Sequence, residues 1–335
     1  MITDTGILTK IGNTPLVRLE RIFRDFPISF FAKLEMFNPG GSIKDRTALC
    51  MLQRAMERGD IDADTTIIES SSGNLAVGLA QACKYFGLRL ICVVDPKTTQ
   101  QNIDILRAYN AEIDMVTEPD PLSLEYLDAR IERVKALTES IPSVFWTNQY
   151  ANPDNAAAHH ITMREITDDL GGTEPDYLFC AVSTCGTLRG CSEYARSNHL
   201  KTKIIAVDAI GSVIYSNVKS RRLIPGHGAA RVPELFRNGI EDEYINVSDL
   251  ECVSGCRRLL GSEAILAGGS SGGVVSAVER KAPEIPENSV CVAILADRGE
   301  RYLNTIYSDE WVTEHFGDIS TCREVRHERR WHCSA

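Results

Sequence analysis

The feature that most constrains this chain is an alternation. Short β-branched runs, TTIIES (65–70), LRLICVV (88–94), AEIDMV (111–116), PDYLFCAV (175–182), KIIAVD (203–208) and SVCVAILA (289–296), take turns with amphipathic stretches such as NLAVGLAQACKYF (74–86) and QNIDILRAY (101–109). Apolar strands separated by helices predict parallel sheets covered on both faces, because parallel neighbours need a crossover and the crossover is usually a helix. With 335 residues, no internal repeat and no Ser/Gly-rich linker, the expected architecture is α/β: two doubly wound domains sharing a cleft. In such sheets ligands bind beyond the carboxyl ends of the strands, where loops enter helices. Those loops are therefore the places to look for chemistry.

Charge and targeting narrow the classes. A net charge of −10 and an isoelectric point near 5.3 argue against nucleic acid or an anionic membrane as a partner. The opening MITDTGILTKIGNTPLVRL lacks a basic segment followed by an apolar one, and no apolar run approaches the ~20 residues that span a bilayer. A cytoplasmic chain is expected. Eleven cysteines fit that compartment as reduced thiols, since Cys83, Cys92, Cys180 and Cys291 sit in apolar stretches. Cys252 and Cys256 are one helical turn apart, and the tail mixes Cys322, His327, His332 and Cys333. These spacings match no standard zinc pattern, so no metal is expected and the tail reads as frayed.

Four strand-to-helix loops carry candidate chemistry. In NPGGSIKDRTA (38–48), Ser42 and Asp45 have the spacing of a capping box opening a helix, which puts Lys44 in its first turn. The macrodipole there should lower the pKa of Lys44, favouring a free amine over a phosphate-binding cation. The G-x-x-x-x-G-K-[ST] spacing of a P-loop is absent; a plain surface lysine is the alternative. ESSSGNLAVG (69–78) offers hydroxyls and backbone N–H groups suited to a carboxylate, with Asn74 either a ligand or a simple helix cap. AVSTCGTLRG (181–190) presents Ser183, Thr184, Cys185, Gly186 and Thr187 at a second helix start, either a phosphate cradle or a capped turn. ILAGGSSGGVVSAV (265–278) brackets Ser270 with glycines, for close approach to a flat ligand or for tight packing. Together the four loops suit an anionic, lysine-linked ligand.

In this order the motifs resemble the fold-type II pyridoxal-phosphate enzymes of the cysteine synthase and cystathionine β-synthase group. The likeness rests on IGNTPLVRL (11–19), KLEMFNPGGSIKDR (33–46), SSGN (71–74), NQYANPDN (148–155), GGSSGG (268–273) and DRGERY (297–302). It implies a tryptophan synthase β-like pair of domains: residues 40–150 smaller, with a mobile part at about 84–135; 1–39 plus 151–312 larger; and 313–335 a flexible tail. It implies pyridoxal 5′-phosphate in the cleft and the family's habit of forming homodimers. Lys44 would be the Schiff-base lysine and the base at the α-carbon. Asn74 would bond the cofactor's 3′-oxygen, residues 183–187 would hold its phosphate, and Ser270 would meet the ring nitrogen. Ser71, Ser72 and Gln149 would bind the substrate carboxylate.

Departures are visible. Leu75 stands where cysteine synthases carry a threonine, Ser183-Thr184-Cys185-Gly186-Thr187 keeps one glycine of their phosphate loop, and Tyr150 replaces a phenylalanine. NPGGSIKDR, SSGNL, WTNQYAN and DRGERYLNTIYSD look more like the siderophore branch that makes N-(2-amino-2-carboxyethyl)-L-glutamate in staphyloferrin B biosynthesis. That likeness implies β-replacement on O-phospho-L-serine through an aminoacrylate, with L-glutamate as the amine and 2,3-diaminopropionate downstream. Two negatively charged substrates call for cations, for which Arg130, Arg231 and Arg298 are candidates. Arg130, Tyr150 and Ser183 are expected to shape the substrate pocket. A sulfur-using relative, cysteine synthase or cystathionine β-synthase, is the alternative.

Overall fold

The computed structural model describes residues 6–317. Its strands are β1 (Leu16–Arg18), β2 (Ser29–Leu34), β3 (Thr66–Glu69), β4 (Arg89–Val94), β5 (Glu112–Met115), β6 (Val144–Trp146), β7 (Tyr177–Ala181), β8 (Lys203–Ala209), β9 (Glu243–Val247) and β10 (Val290–Leu295). The helices are α1 (Lys44–Arg58), α2 (Asn74–Phe86), α3 (Gln100–Ala108), α4 (Tyr126–Ser140), α5 (Pro153–Asp169), α6 (Gly186–Ser197), α7 (Asp249–Glu263), α8 (Gly269–Lys281) and α9 (Asp309–Phe316). The expected α/β class holds. All six anticipated strands form, and α2 covers the anticipated 74–86.

Two sheets result. One runs β5-β4-β3-β6 and is parallel throughout; the other runs β1-β2-β10-β7-β8-β9 and is parallel except for β1 on β2. Central strands are apolar along their length because helices cover both faces: all four residues of β3 are buried, as are the last five of β10. Each sheet packs its own cores, one built on Ile67, Leu79 and Met51, another on Phe179, Val207 and Val275.

Two cations interrupt the apolar interior. Lys33, fully buried on β2, donates to the Thr14 carbonyl at 2.6 Å and to Asp169 at 2.8 Å, and pairs with Glu165 at 3.1 Å. Arg46 on α1 forks onto Glu35 (2.7 and 2.9 Å) and Glu165 (2.6 and 2.7 Å). Burial opposes the charge of Glu165, yet the Arg46 hydrogen bonds prevail and hold its carboxyl down at about 2. Desolvated ions persist when their partners are this complete.

Helices α7 and α8 touch backbone to backbone. A Cβ at Gly255 would stand 2.0 Å from the Gly272 carbonyl oxygen, and one at Gly272 2.0 Å from that of Cys252. Only hydrogen fits at this crossing.

Part of the stretch expected to be a flexible tail is helical. Residues 313–316 complete α9, whose Val312 is buried and whose Trp311 and Phe316 pack on a core. The remainder of that stretch, with Cys322, His327, His332 and Cys333, lies outside the described residues. The nine described cysteines are free thiols, all but Cys50 buried, and burial pushes Cys83, Cys180 and Cys291 up to about 12. Among the described residues, no helix is long and apolar enough to cross a membrane.

Candidate active site

Three of the four loops leave the carboxyl end of a strand. The fourth, 265–278, was expected to do so but joins α7 to α8, and hydrogen bonds tie it to the end of β10. The Ile43 N–H donates to the Ala296 carbonyl at 2.8 Å, the Gly268 N–H to that of Asp297 at 3.1 Å, and the Ala296 N–H to the Ser271 hydroxyl at 3.0 Å. Asn155 on α5 adds a second set. Its amide donates to the Gln149 carbonyl (2.7 Å) and the Thr184 hydroxyl (3.2 Å), and it accepts from Thr47 on α1 (3.1 Å).

The helix after NPGGS begins at Lys44, but without the expected capping box. The Ser42 hydroxyl accepts from the Lys44 N–H at 3.2 Å, whereas the Asp45 carboxylate turns back to the Gly40 N–H at 2.5 Å. Asp45 is thus taken by the Gly-Gly turn it was expected to follow, and burial raises its carboxyl to about 7. The pKa of Lys44 is lowered as expected, to about 8, but the largest cause is burial, with Asp297 pulling the other way. Among the described residues its amine has no hydrogen-bond partner, and the residue as a whole is half-buried.

Asn74 is not a cap. It is the first residue of α2 after Gly73, and no side chain caps that helix. Its amide donates to Asp297 at 2.7 Å and its oxygen accepts from Arg301. Asp297 also accepts from the Tyr302 hydroxyl at 2.5 Å, and Arg301 donates to the Gly40 carbonyl at 2.7 Å. The second oxygen of Asp297 is buried without a partner, and burial raises its pKa. Sequence reasoning used DRGERY only as a family marker and gave Asp297, Arg301 and Tyr302 no role.

Residues 183–187 form the start of α6. Cys185 is left-handed (φ 63) and no side chain caps the helix. Gly186 is required, since a Cβ there would meet Asn155 Oδ1 at 2.2 Å. Uncapped N–H groups at the positive end of a helix make an anion cradle. The Ser270 hydroxyl, at the start of α8, has no hydrogen-bond partner among the described residues, in contrast to Ser271 beside it.

Ser71, Ser72 and Gln149 flank the same region. Ser71 and Gln149 are buried. The Ser72 carbonyl accepts from Asn102 on α3 at 2.8 Å, and the Gln149 N–H donates to buried Glu69 at 3.2 Å. Leu75 turns into the core beside Ile67 and Leu79, adding no polar group.

The cations divide. Arg130 on α4 pairs with Asp95 at 3.4 Å, and Arg298 donates to the Met36 carbonyl at 2.9 Å. Arg231 is exposed in the loop before Leu235. Arg222, not singled out from sequence, donates to the His227 carbonyl at 2.7 Å and, like Arg130, lies within electrostatic reach of the Tyr150 phenol. Burial raises the Tyr150 pKa.

A desolvated amine without a partner, an uncapped helix start shaped by Gly186 and an unpaired hydroxyl on α8 fit one group: an aldehyde with a phosphate and an aromatic nitrogen. The chain belongs to the family of pyridoxal-phosphate dependent enzymes, which residues 7–297 match. It is an enzyme of the β-replacement type, and pyridoxal phosphate is its cofactor. It is 46% identical over 308 residues to the N-(2-amino-2-carboxyethyl)-L-glutamate synthase of Ralstonia nicotianae, spanning 92% of this chain and 90% of that one. Among solved structures it resembles an O-ureido-L-serine synthase (30% identity, TM-score 0.84, 91% of this chain and 98% of that one). An O-acetylserine dependent cystathionine β-synthase from Helicobacter pylori is similar to the same degree (31%, TM-score 0.84, 92% and 100%).

Proposed function

We propose that this enzyme replaces the phosphate of O-phospho-L-serine with the amine of L-glutamate, giving N-(2-amino-2-carboxyethyl)-L-glutamate and phosphate. The Cβ–O bond breaks, a Cβ–N bond forms, the amine gives up a proton, and no oxidant or reductant is needed. The product would be a precursor of 2,3-diaminopropionate for siderophore biosynthesis. The observation that carries this reading is the likeness, over nearly the whole chain, to a synthase of that name.

Pyridoxal phosphate supplies the electron sink that acidifies the substrate α-carbon. Lys44 Nζ would carry the cofactor and move the α-proton, a task suited to an amine whose pKa lies near the working pH. The N–H and hydroxyl groups of Ser183–Thr187 would hold the cofactor phosphate. Asn74, oriented by Asp297 and Arg301, would bond its 3′-oxygen, and the Ser270 hydroxyl would face its ring nitrogen. A neutral hydroxyl there leaves that nitrogen unprotonated, which favours β-elimination over deeper carbanion chemistry. Ser71, Ser72 and Gln149 would bind the amino-acid carboxylate. Arg130, Tyr150 and Ser183 would shape the pocket for the departing phosphate. In this reading residues 40–150 form the smaller domain, its 84–135 part closes over the cleft to exclude water, and the enzyme works as a cytoplasmic homodimer.

The test gives the yellow holoenzyme O-phosphoserine with glutamate, sulfide or homocysteine in parallel, following phosphate release and product mass. A glutamate-dependent adduct supports the reading. A sulfur product alone would move the enzyme to the cystathionine β-synthase or cysteine synthase reaction, and no phosphate release would remove O-phosphoserine as first substrate.

A further inference from the structure

Beside the candidate carboxylate loop lies a pocket of about 280 Å³ that none of the proposed cofactor-binding groups lines. Glu69 and Ser70, at the end of β3, line it together with Trp146, Tyr150, Lys135 of α4, Arg231 and Glu234. Two carboxylates thus share the lining with two cations, which suits a ligand carrying an ammonium as well as carboxylates. At ~30 Å³ per water it has room for about ten non-hydrogen atoms.

Three features suit it to a small, doubly anionic ligand. Ser70 is only 5% exposed, and its hydroxyl is buried without a hydrogen-bond partner. A native protein rarely leaves such a group unsatisfied unless water or a ligand completes it. Arg231 has no ion-pair partner among the described residues, and Lys135 pairs only with Glu132, one turn earlier on its own exposed face. A surface pair of that kind is held weakly and yields readily to a better anion. Finally, the indole of Trp146 and the phenol of Tyr150 give flat walls against which an aliphatic chain can lie. The pocket is coupled to the cleft, because the Leu235 N–H, just beyond the Arg231 loop, donates to the Tyr150 carbonyl at 3.0 Å.

We propose that this pocket is the subsite of the amine nucleophile and takes an acidic α-amino acid, with Arg231 and Lys135 meeting its two carboxylates and the Ser70 hydroxyl donating to it. The proposal deepens the reading above and rests on its acidic second substrate. It separates that substrate's charges from those of O-phosphoserine, so two anionic substrates need not share one set of cations.

The test uses the holoenzyme, O-phosphoserine at saturation, and glutamate or glutamine as nucleophile. Wild type should prefer glutamate. Arg231→Gln and Lys135→Gln should each raise KM for glutamate about tenfold with little change in kcat, and the preference should collapse in the double variant; Arg231→Lys should retain most of it. A purely structural defect would depress both nucleophiles alike. An undiminished preference in the double variant overturns the proposal while leaving the glutamate reaction intact. If wild type makes no glutamate adduct, the parent reading fails, and intrinsic fluorescence titration with glutamate decides the pocket by itself. Saturable quenching, lost in Arg231→Gln and in Trp146→Phe, would support it, and no saturable response would overturn it.

Discussion

Lys44 and Arg46 stand two residues apart at the start of α1, and their surroundings differ in kind. Arg46 faces Glu35 and Glu165, both buried, and five nitrogen–oxygen contacts consume its guanidinium, counting the 3.2 Å bond to Thr14. Lys44 lies within electrostatic reach of Asp297, and among the described residues its amine, the Ser270 hydroxyl and one oxygen of Asp297 have no hydrogen-bond partner. The first cluster is saturated and serves to hold α1 against β2 and α5. The second is incomplete in the manner of a site that a ligand finishes. One turn of helix thus joins a frame to a workplace, and charge alone does not distinguish them; the tally of partners does.

The comparison can be broken at several points. Lys44→Ala should abolish the yellow colour and lower turnover by about a thousandfold or more, while its unfolding midpoint stays at or above that of wild type; retained colour would remove Lys44 from the site. Glu35→Gln should do the reverse, costing about 3–5 kcal/mol by leaving Arg46 undercompensated while sparing the absorbance of the folded fraction. Denaturant titration checks it, and a cost below about 1 kcal/mol would mean that the frame tolerates the loss.

The pH dependence follows from Lys44. Below its pKa of about 8 the amine is protonated, so the rate at which apoprotein captures pyridoxal phosphate should rise about tenfold per pH unit up to 8 and then level. The sign for stability is the same. The folded pKa lies below the 10.5 of the unfolded chain, so the folding penalty is full below about pH 8 and is relieved as pH rises towards 10.5. A capture rate flat between pH 6 and 8 would contradict this. The smallest effect is expected at Ser270→Ala. An unpaired hydroxyl contributes little to the fold, so stability should shift by about 0.5 kcal/mol or less, with activity alone reduced.

Six strands were legible from short β-branched runs beside helical ones, whereas four were not. Strands β1 and β6 are only three residues long, β2 (SFFAKL) carries a lysine in its apolar run, and β9 (EYINV) mixes Glu and Asn into its pattern. The loops announced themselves by glycine and serine, because close approach and small hydroxyls need those residues locally. The support of Asn74 was not legible, since Asp297 and Arg301 lie 223 and 227 positions away and meet it only through the fold. The capping box failed for a related reason. Its spacing was present, but Gly40 offered Asp45 a nearer donor. The lowered pKa of Lys44 was anticipated from the helix dipole, whereas burial, invisible in a linear string, is the larger cause.

The bare crossing of α7 and α8 has an evolutionary side. Any side chain at Gly255 or Gly272 would pry the two helices apart two residues along α8 from Ser270, so this seam is closed to gradual change. Tyr150, Arg231 and Lys135, which line the pocket beside the cleft, belong to no such seam. A lineage seeking a new nucleophile can try substitutions at those rims one at a time without disturbing the anvil on which the ring would rest.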